Sequence, residues 1–263
     1  MTENTTSRLA TWLDLLHEIA DNADGMAMQY FRRAGLRVDD KSDGSPVSEA
    51  DRAIERMARA LVAKRHPELG VFGEEEGVSE SRDGARLIID PIDGTRNFVR
   101  GIPVFASLAA IEEDGVLVAG VVSAPALRMR WFASRGRGAF LGPRRLHVSG
   151  IDDLARAHLF HGDLSGRTEG MQPPALPSLL KRVERTRGFG DFYQHMLVAE
   201  GCGEIAIDVK VQPWDVAAIK IIVEEAGGRS TSFTGVDSIQ APTLLSTNAH
   251  MHKVVLAALN PSA

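Results

Sequence analysis

Apolar positions near the amino terminus recur at helical spacing. Leu9, Trp12, Leu13, Leu16, Ile19 and Ala23 are separated by three, one, three, three and four residues. They therefore share one face of a helix expected to begin near Thr6 or Ser7. A second stripe, Ile54, Met57, Ala58 and Leu61, follows Ser48. Ser48 is a favourable N-cap, Asp51 stands at the capping-box position, and His66-Pro67 closes the helix. Between the two helices, residues 41–46 (KSDGSP) carry turn chemistry. Short apolar runs at 69–72 and 87–89 each lead directly into acidic residues. Runs at 105–112 and 116–123 flank Glu113-Asp114-Gly115, a hairpin turn. Runs at 130–134 and 139–141 flank a glycine-rich turn at 136–138, which lacks the spacing of a nucleotide-binding loop. Beyond Ser149, helices predicted over 191–200, 216–226 and 250–259 alternate with short strands, and 172–177, with three prolines, reads as a loop. There is no internal repeat and no low-complexity tract.

Composition narrows the class. The 263 residues suit one large domain or two closely packed smaller ones. With 44% hydrophobic and 25% charged residues, the chain is not mainly disordered, collagenous or coiled-coil. Thirty basic against 35 acidic residues leave a net charge of −5, a poor basis for general nucleic-acid binding. The longest uncharged stretches, 101–111 and 115–127, fall short of a bilayer span, and the first residues lack a signal-peptide pattern. Cys202 is the only cysteine, so no intrachain disulfide forms. The expectation is a soluble cytoplasmic protein with neither membrane nor nucleic-acid partners.

Three groups of carboxylates stand where strands are expected to stop. They are Glu74-Glu75-Glu76, the segment DPIDGT at 90–95, and Asp215 after Val211-Gln212-Pro213-Trp214. Carboxylates gathered at a sheet edge repel one another unless a cation neutralises them. All-oxygen ligands suit Mg²⁺. Asp90 and Asp93 bracket Ile92, whose carbonyl is a further ligand candidate. Gly94 and Thr95 offer backbone N–H groups and a hydroxyl. If a helical turn starts there, those donors point at an anion such as phosphate. A metal, a phosphate nest and a hydroxyl beside a glutamate suffice for metal-assisted phosphate-ester hydrolysis. The plainer reading is a set of solvated turns, since Asp-Gly is a common turn dipeptide. Pro91 and Gly94, which fix the backbone around the two aspartates, favour the site.

The segment DPIDGTRNF at 90–98 resembles the signature of the inositol-monophosphatase family. The segments PWDVAA at 213–218, EEAGG at 224–228, GEE at 73–75 and SPVSEAD at 45–51 resemble its other motifs, in order and spacing, over nearly the whole chain. The resemblance implies an α+β fold, the layered αβαβα sandwich of the sugar phosphatases. Residues 1–148 would form an N-terminal subdomain with most metal ligands, and 149–263 a C-terminal subdomain completing the substrate site. It also implies roles. Glu74, Asp90 and the Ile92 carbonyl would hold a first Mg²⁺, and Asp90, Asp93 and Asp215 a second. A third, weaker metal would sit near Glu74, with Glu75 reached through water. Mn²⁺ is an alternative ion. Thr95 and Glu74 would orient a metal-bound water for in-line attack, with Asp51 beside Thr95. The Gly94 and Thr95 amides would hold the phosphate. Inhibition by Li⁺ and a homodimer are family expectations.

Residues 97–140 and RGFGDFYQHMLVAEG at 187–201 most resemble the bacterial histidinol-phosphate phosphatases of this family. The implied reaction releases phosphate from L-histidinol phosphate, in histidine biosynthesis. Inositol monophosphatases tend to carry a small Gly-Ser/Thr-Ala-Ala stretch where this chain has Gly188-Phe189-Gly190-Asp191. Asp191 and Asp208 would pair with the ammonium and imidazole of such a substrate. Asp191 also suits an N-cap. Lys41 reads either as a solvated loop residue or as one approaching the metals. Arg96 faces either solvent or substrate. His195 reads as structural or as lying near the base-binding end, and Cys202 as a plain thiol. Two alternatives remain: an inositol monophosphatase or broad sugar-phosphate phosphatase, and a non-enzymatic transcription antitermination adaptor. The intact Glu74, Asp90, Asp93, Thr95 and Asp215 argue against the adaptor.

Overall fold

The computed structural model describes residues 3–42, 44–165 and 170–261, with side chains from Ser7 onward. Asp43, in the predicted turn, lies outside the described residues. Helix α1 (Glu3–Tyr30) starts before Thr6 and continues well past Ala23. Its buried face holds Leu9, Trp12, Leu16, Ile19, Ala23 and Ala27, together with Leu15 and Ala20. Leu13 is only partly covered. Strands β1 (Val38–Asp40) and β2 (Pro46–Ser48) form a small antiparallel ribbon around the 41–46 turn. Helix α2 (Glu49–Arg65) opens with the expected capping box at Ser48 and Asp51 and ends at His66.

The main sheet takes β3 (Gly70–Gly73), β4 (Gly77–Ser79), β5 (Ala85–Asp93), β6 (Ala106–Glu113), β7 (Val116–Ala124), β8 (Met129–Ser134), β9 (Gly138–Leu141) and β10 (Arg144–Arg145). Its eight strands run in the order β10-β9-β8-β7-β6-β5-β3-β4, with only β3 and β5 parallel. Helix α3 (Thr95–Val99) sits between β5 and β6. Strand β5 is longer than the predicted 87–89 and runs through both aspartates. Its pairing with β6 is interrupted between Asp90 and Asp93. Pro91 has no N–H for the ladder there, so the strand end deviates without leaving the sheet.

The rest of the chain gives β11 (His158–His161), α4 (Leu176–Leu180), β12 (Arg185–Gly188), α5 (Asp191–Ala199), β13 (Ile205–Val209), α6 (Pro213–Glu225), β14 (Arg229–Thr231), β15 (Thr243–Thr247) and α7 (His252–Leu259). The second sheet runs β12-β11-β13-β15-β14. The predicted 172–177 loop is shorter than expected, because Leu176 and Pro177 open α4, where a proline without N–H costs nothing. Helix α6 begins at Pro213 rather than 216 for the same reason. Asp215 therefore lies in the first turn of a helix, not at a strand end.

Side-chain alternation builds the layers. Leu87 and Ile89 of β5 pack with α1 and α2, while Ile88 faces α6. Ile205 and Ile207 of β13 pack with α4 and α7, while Ala206 meets α5. The order is α1/α2, main sheet, α5/α6, second sheet, α4/α7: an αβαβα sandwich. No described helix is long and apolar enough to cross a membrane.

Candidate active site

Carboxylate oxygens of Asp90, Asp93 and Asp215 lie within 4.8 Å of one another. Asp90 and Asp93 come from the irregular end of β5, and Asp215 from the first turn of α6. Backbone N–H groups hold all three. Ile92 N donates to Asp90 Oδ1 at 2.9 Å, Phe192 N to Asp93 Oδ2 at 2.6 Å, and Gln212 N to Asp215 Oδ2 at 2.7 Å. Glu74, in the turn after β3, stands near enough to Asp90 for their charges to repel. Burial, then repulsion from other carboxylates, Glu74 first for Asp90 and Asp191 first for Asp93, holds both well above the usual carboxylate range. Burial lifts Asp215 to about 7, with the charge of Glu74 adding to it. Such a cluster, all hard oxygen donors crowded out of water, fits a divalent cation such as Mg²⁺.

Thr95 starts α3 beside this cluster. Gly94 precedes it with φ +82°, a conformation that glycine adopts without strain. The Thr95 hydroxyl lies 2.9 Å from the Ile92 carbonyl and 3.3 Å from Asp51 Oδ1. Asp51 is buried on α2, where the Ser48 N–H and hydroxyl donate to its Oδ2. Burial raises its carboxyl to about 6. Lys41 reaches the site. Its ammonium lies 2.6 Å from Glu74 Oε1 and 2.7 Å from Glu75 Oε1. Burial opposes its charge, but these two bonds outweigh it and raise the Lys41 pKa.

One residue absent from the sequence reading organises the acidic turn. Glu55 is fully buried, and its carboxylate accepts from Glu75 N at 2.7 Å, Glu76 N at 3.0 Å and Arg59 Nε at 2.9 Å. A Cβ at position 73 would collide with that carboxylate, which explains Gly73. The signal was present, since Glu55 follows Asp51 by one helical turn on an otherwise apolar face.

A cavity of about 120 Å³ beside the cluster is lined by Asp93, Asp191, His195, Asp208, Lys210 and Asp215, among others. Asp191 opens α5 but does not cap it. Gly190 is the N-cap residue, and no side chain caps the helix. The Asp191 carboxylate instead accepts from Asn97. Burial lifts Asp191 to about 6. Burial and then the Asp191 charge lift Asp208 to about 8. Gln194, also missed, donates to Asp208 Oδ2 at 2.9 Å and to the Ile207 carbonyl at 3.0 Å. His195 is buried behind the cavity, with Nδ1 2.9 Å from Ser246 Oγ, and burial drives its pKa down to about 3. It is therefore neutral. Arg96 donates to the Gly44 carbonyl at 3.0 Å, tying α3 to the 41–46 turn. Cys202 is an exposed free thiol.

The family model described as the inositol monophosphatase family matches residues 8–262. The chain belongs to the inositol monophosphatase family. Among its relatives in that family, the histidinol-phosphatase of Mycobacterium tuberculosis (strain ATCC 25618 / H37Rv) is 46% identical over 247 residues, covering 92% of this chain and 95% of the relative. The inositol-1-monophosphatase of Rhizobium meliloti (strain 1021) is 34% identical, covering 88% of each. Among solved structures, the extragenic suppressor protein suhB of Bartonella henselae superposes with a TM-score of 0.88 at 31% identity, over 95% of this chain and 98% of that one. As an inositol-monophosphatase-family protein with such relatives, the chain is a phosphomonoesterase.

Proposed function

We propose that this phosphatase hydrolyses L-histidinol phosphate to L-histidinol and phosphate, a step of histidine biosynthesis, with Mg²⁺. The observation that carries the reading is the cavity in which Asp191 and Asp208 stand beside Asp93 and Asp215. A phosphate bound at the acidic cluster would leave an attached ammonium and imidazole facing Asp191 and Asp208, where charge-assisted hydrogen bonds form. A cationic group favours the ionised forms of these two carboxyls, whereas the polyol of an inositol phosphate gains less from them. The 46% identity to a histidinol-phosphatase supports the same choice.

Glu74, Asp90, Asp93, Asp215 and the Ile92 carbonyl would hold two or three Mg²⁺ ions per site, with Mn²⁺ a possible replacement. The bound cation supplies Lewis-acid stabilisation of charge on the phosphoryl and leaving oxygens. The remaining work falls to the chain. The amides of Gly94 and Thr95 receive phosphoryl oxygens. The single Thr95 proton is directed to Asp51 or the Ile92 carbonyl, so its oxygen lone pairs accept a hydrogen bond from the attacking water. Glu74 takes the proton of that water, and attack proceeds in line with the departing alkoxide. In this reading residues 1–148 bring most metal ligands, and residues 149–263 bring Asp191, Asp208 and Asp215. The same reading places the protein in the cytoplasm as a homodimer, without a nucleic-acid or membrane partner.

The test is phosphate release over a panel of L-histidinol phosphate, inositol 1-phosphate and fructose 1,6-bisphosphate with Mg²⁺. Strong preference for L-histidinol phosphate, abolished by EDTA and by Asp93→Asn, is expected. Preference for inositol 1-phosphate would keep the chemistry and overturn the role of Asp191. No release from any substrate would bring the antitermination adaptor forward.

A further inference from the structure

Asn97 belongs to α3, two residues beyond Thr95, and its side chain points across to α5. Its amide nitrogen donates to Asp191 Oδ2 at 2.9 Å and to the Val104 carbonyl at 2.9 Å. Both amide protons are thereby committed, and the direction of the bond to Asp191 is set.

Asp191 needs such a tether. Its backbone sits at φ +51°, a left-handed conformation costly for a residue with a Cβ. Gly94 leaves room for it, since a Cβ there would stand 3.2 Å from Asp191 Oδ2 and 3.0 Å from the Val104 carbonyl. The next residue is pinned as well, because Phe192 N donates to Asp93 Oδ2 at 2.6 Å. Position 191 is thus located by Asp93, Gly94 and Asn97, all from the segment that runs from the end of β5 into α3. The type of donor matters. An arginine or lysine in place of Asn97 would orient the carboxylate but also neutralise it. A neutral amide orients it and leaves its charge for a cationic ligand.

We propose that Asn97 is a positioning residue for substrate selection, which aims the Asp191 carboxylate at the cationic part of the substrate. This rests on the reading of Asp191 given above. The alternative is a purely structural role, in which Asn97 only supports the 97–104 loop through the Val104 carbonyl.

The experiment is a double-mutant cycle read on two esters, L-histidinol phosphate and 2-glycerol phosphate, which has no cationic group. kcat and KM are measured for the wild-type protein, Asn97→Ala, Asp191→Ala and the double variant. The quantity compared is the ratio of kcat/KM on the first ester to that on the second. The expected result is a fall of about tenfold in this ratio for Asn97→Ala, carried mainly by KM on L-histidinol phosphate. Asn97→Ala should then cause no further fall in the Asp191→Ala background. If Asn97→Ala does not fold, Asn97→Asp keeps the shape and sets one carboxylate against another, and the same fall is expected. Equal losses on both esters, or losses in ratio that add in the double variant, would make Asn97 structural and overturn the proposal alone. An unchanged ratio in Asp191→Ala would remove the reading of Asp191, and the proposal with it.

Discussion

At the scale of single residues, the candidate site divides into groups that gather at the acidic cluster and groups that hold them in place. Thr95 faces the cluster, and its hydroxyl is oriented by Asp51 and the Ile92 carbonyl. Thr95→Ala should lower kcat by about 100-fold on any phosphate ester with little change in KM, measured by phosphate release. Glu55 is fully buried, and it gathers the N–H groups of Glu75 and Glu76 and the Arg59 guanidinium. Glu55→Ala should cost about 3 kcal/mol in urea unfolding, because it leaves the Glu75 and Glu76 amides without their acceptor and strips Arg59 of its buried carboxylate, with only the Gly77 carbonyl and Glu76 left to it. A loss under 1 kcal/mol would show that water replaces the carboxylate there. Asp90, Asp93, Thr95 and Asp215 were legible because their neighbours, Pro91, Gly94 and Pro213, constrain the backbone locally. Glu55 left a local trace, its spacing from Asp51, but Gln194 and Asn97 were not legible, because each acts on a partner in another element. Asn97 and Asp191 are 94 residues apart.

At the scale of elements, the boundaries decide where the carboxylates go. The capping box places Asp51 on α2 by purely local chemistry, and Ser48→Ala should cost about 1 kcal/mol with an unchanged urea m-value. A changed m-value would instead point to loosening of the β1–β2 ribbon. Strand β5 shows the opposite case. Among its last residues, Asp90, Pro91 and Asp93 have poor strand propensity and read as a stop. Pairing of Asp93 with Ala106 of β6 nevertheless holds them in the sheet. The hydroxyl of Ser107 adds a 2.6 Å bond to the Pro91 carbonyl. Helix α6 was read too short for a related reason: Trp214 and Asp215 look like the end of an apolar strand until Pro213 is recognised as a helix opener.

For the whole molecule, the buried acids tie stability to pH. Burial and the Asp191 charge raise Asp208 to about 8, against roughly 3.9 in an unfolded chain. A carboxyl with a raised folded pKa stabilises the fold fully below its unfolded value and loses that contribution as pH climbs through the folded value. Asp215, at about 7, and Asp51, at about 6, act in the same sense. With chelator present, Tm should therefore fall as pH rises from 5 to 8.5, and Asp208→Asn should flatten the upper part of that fall. Mg²⁺ favours the ionised carboxylates, so the Tm gained on adding it should be larger at pH 8 than at pH 5.5. Equal gains at the two pH values would contradict a cation site at Asp90, Asp93 and Asp215.

The chain's own pattern determined the helices with strong apolar stripes, the hairpins with Asp-Gly or glycine-rich turns, the capping box and the acidic motifs. These depend on contacts within a few residues, where periodicity and turn chemistry act directly. Tertiary structure decided that β5 continues through its two aspartates and that Lys41 reaches Glu74 and Glu75. It also decided that Glu55 turns inward and that Asn97 meets Asp191. Each of these joins segments that are distant in sequence, and the energy that fixes them arises only when the sheets and helices close around the cleft.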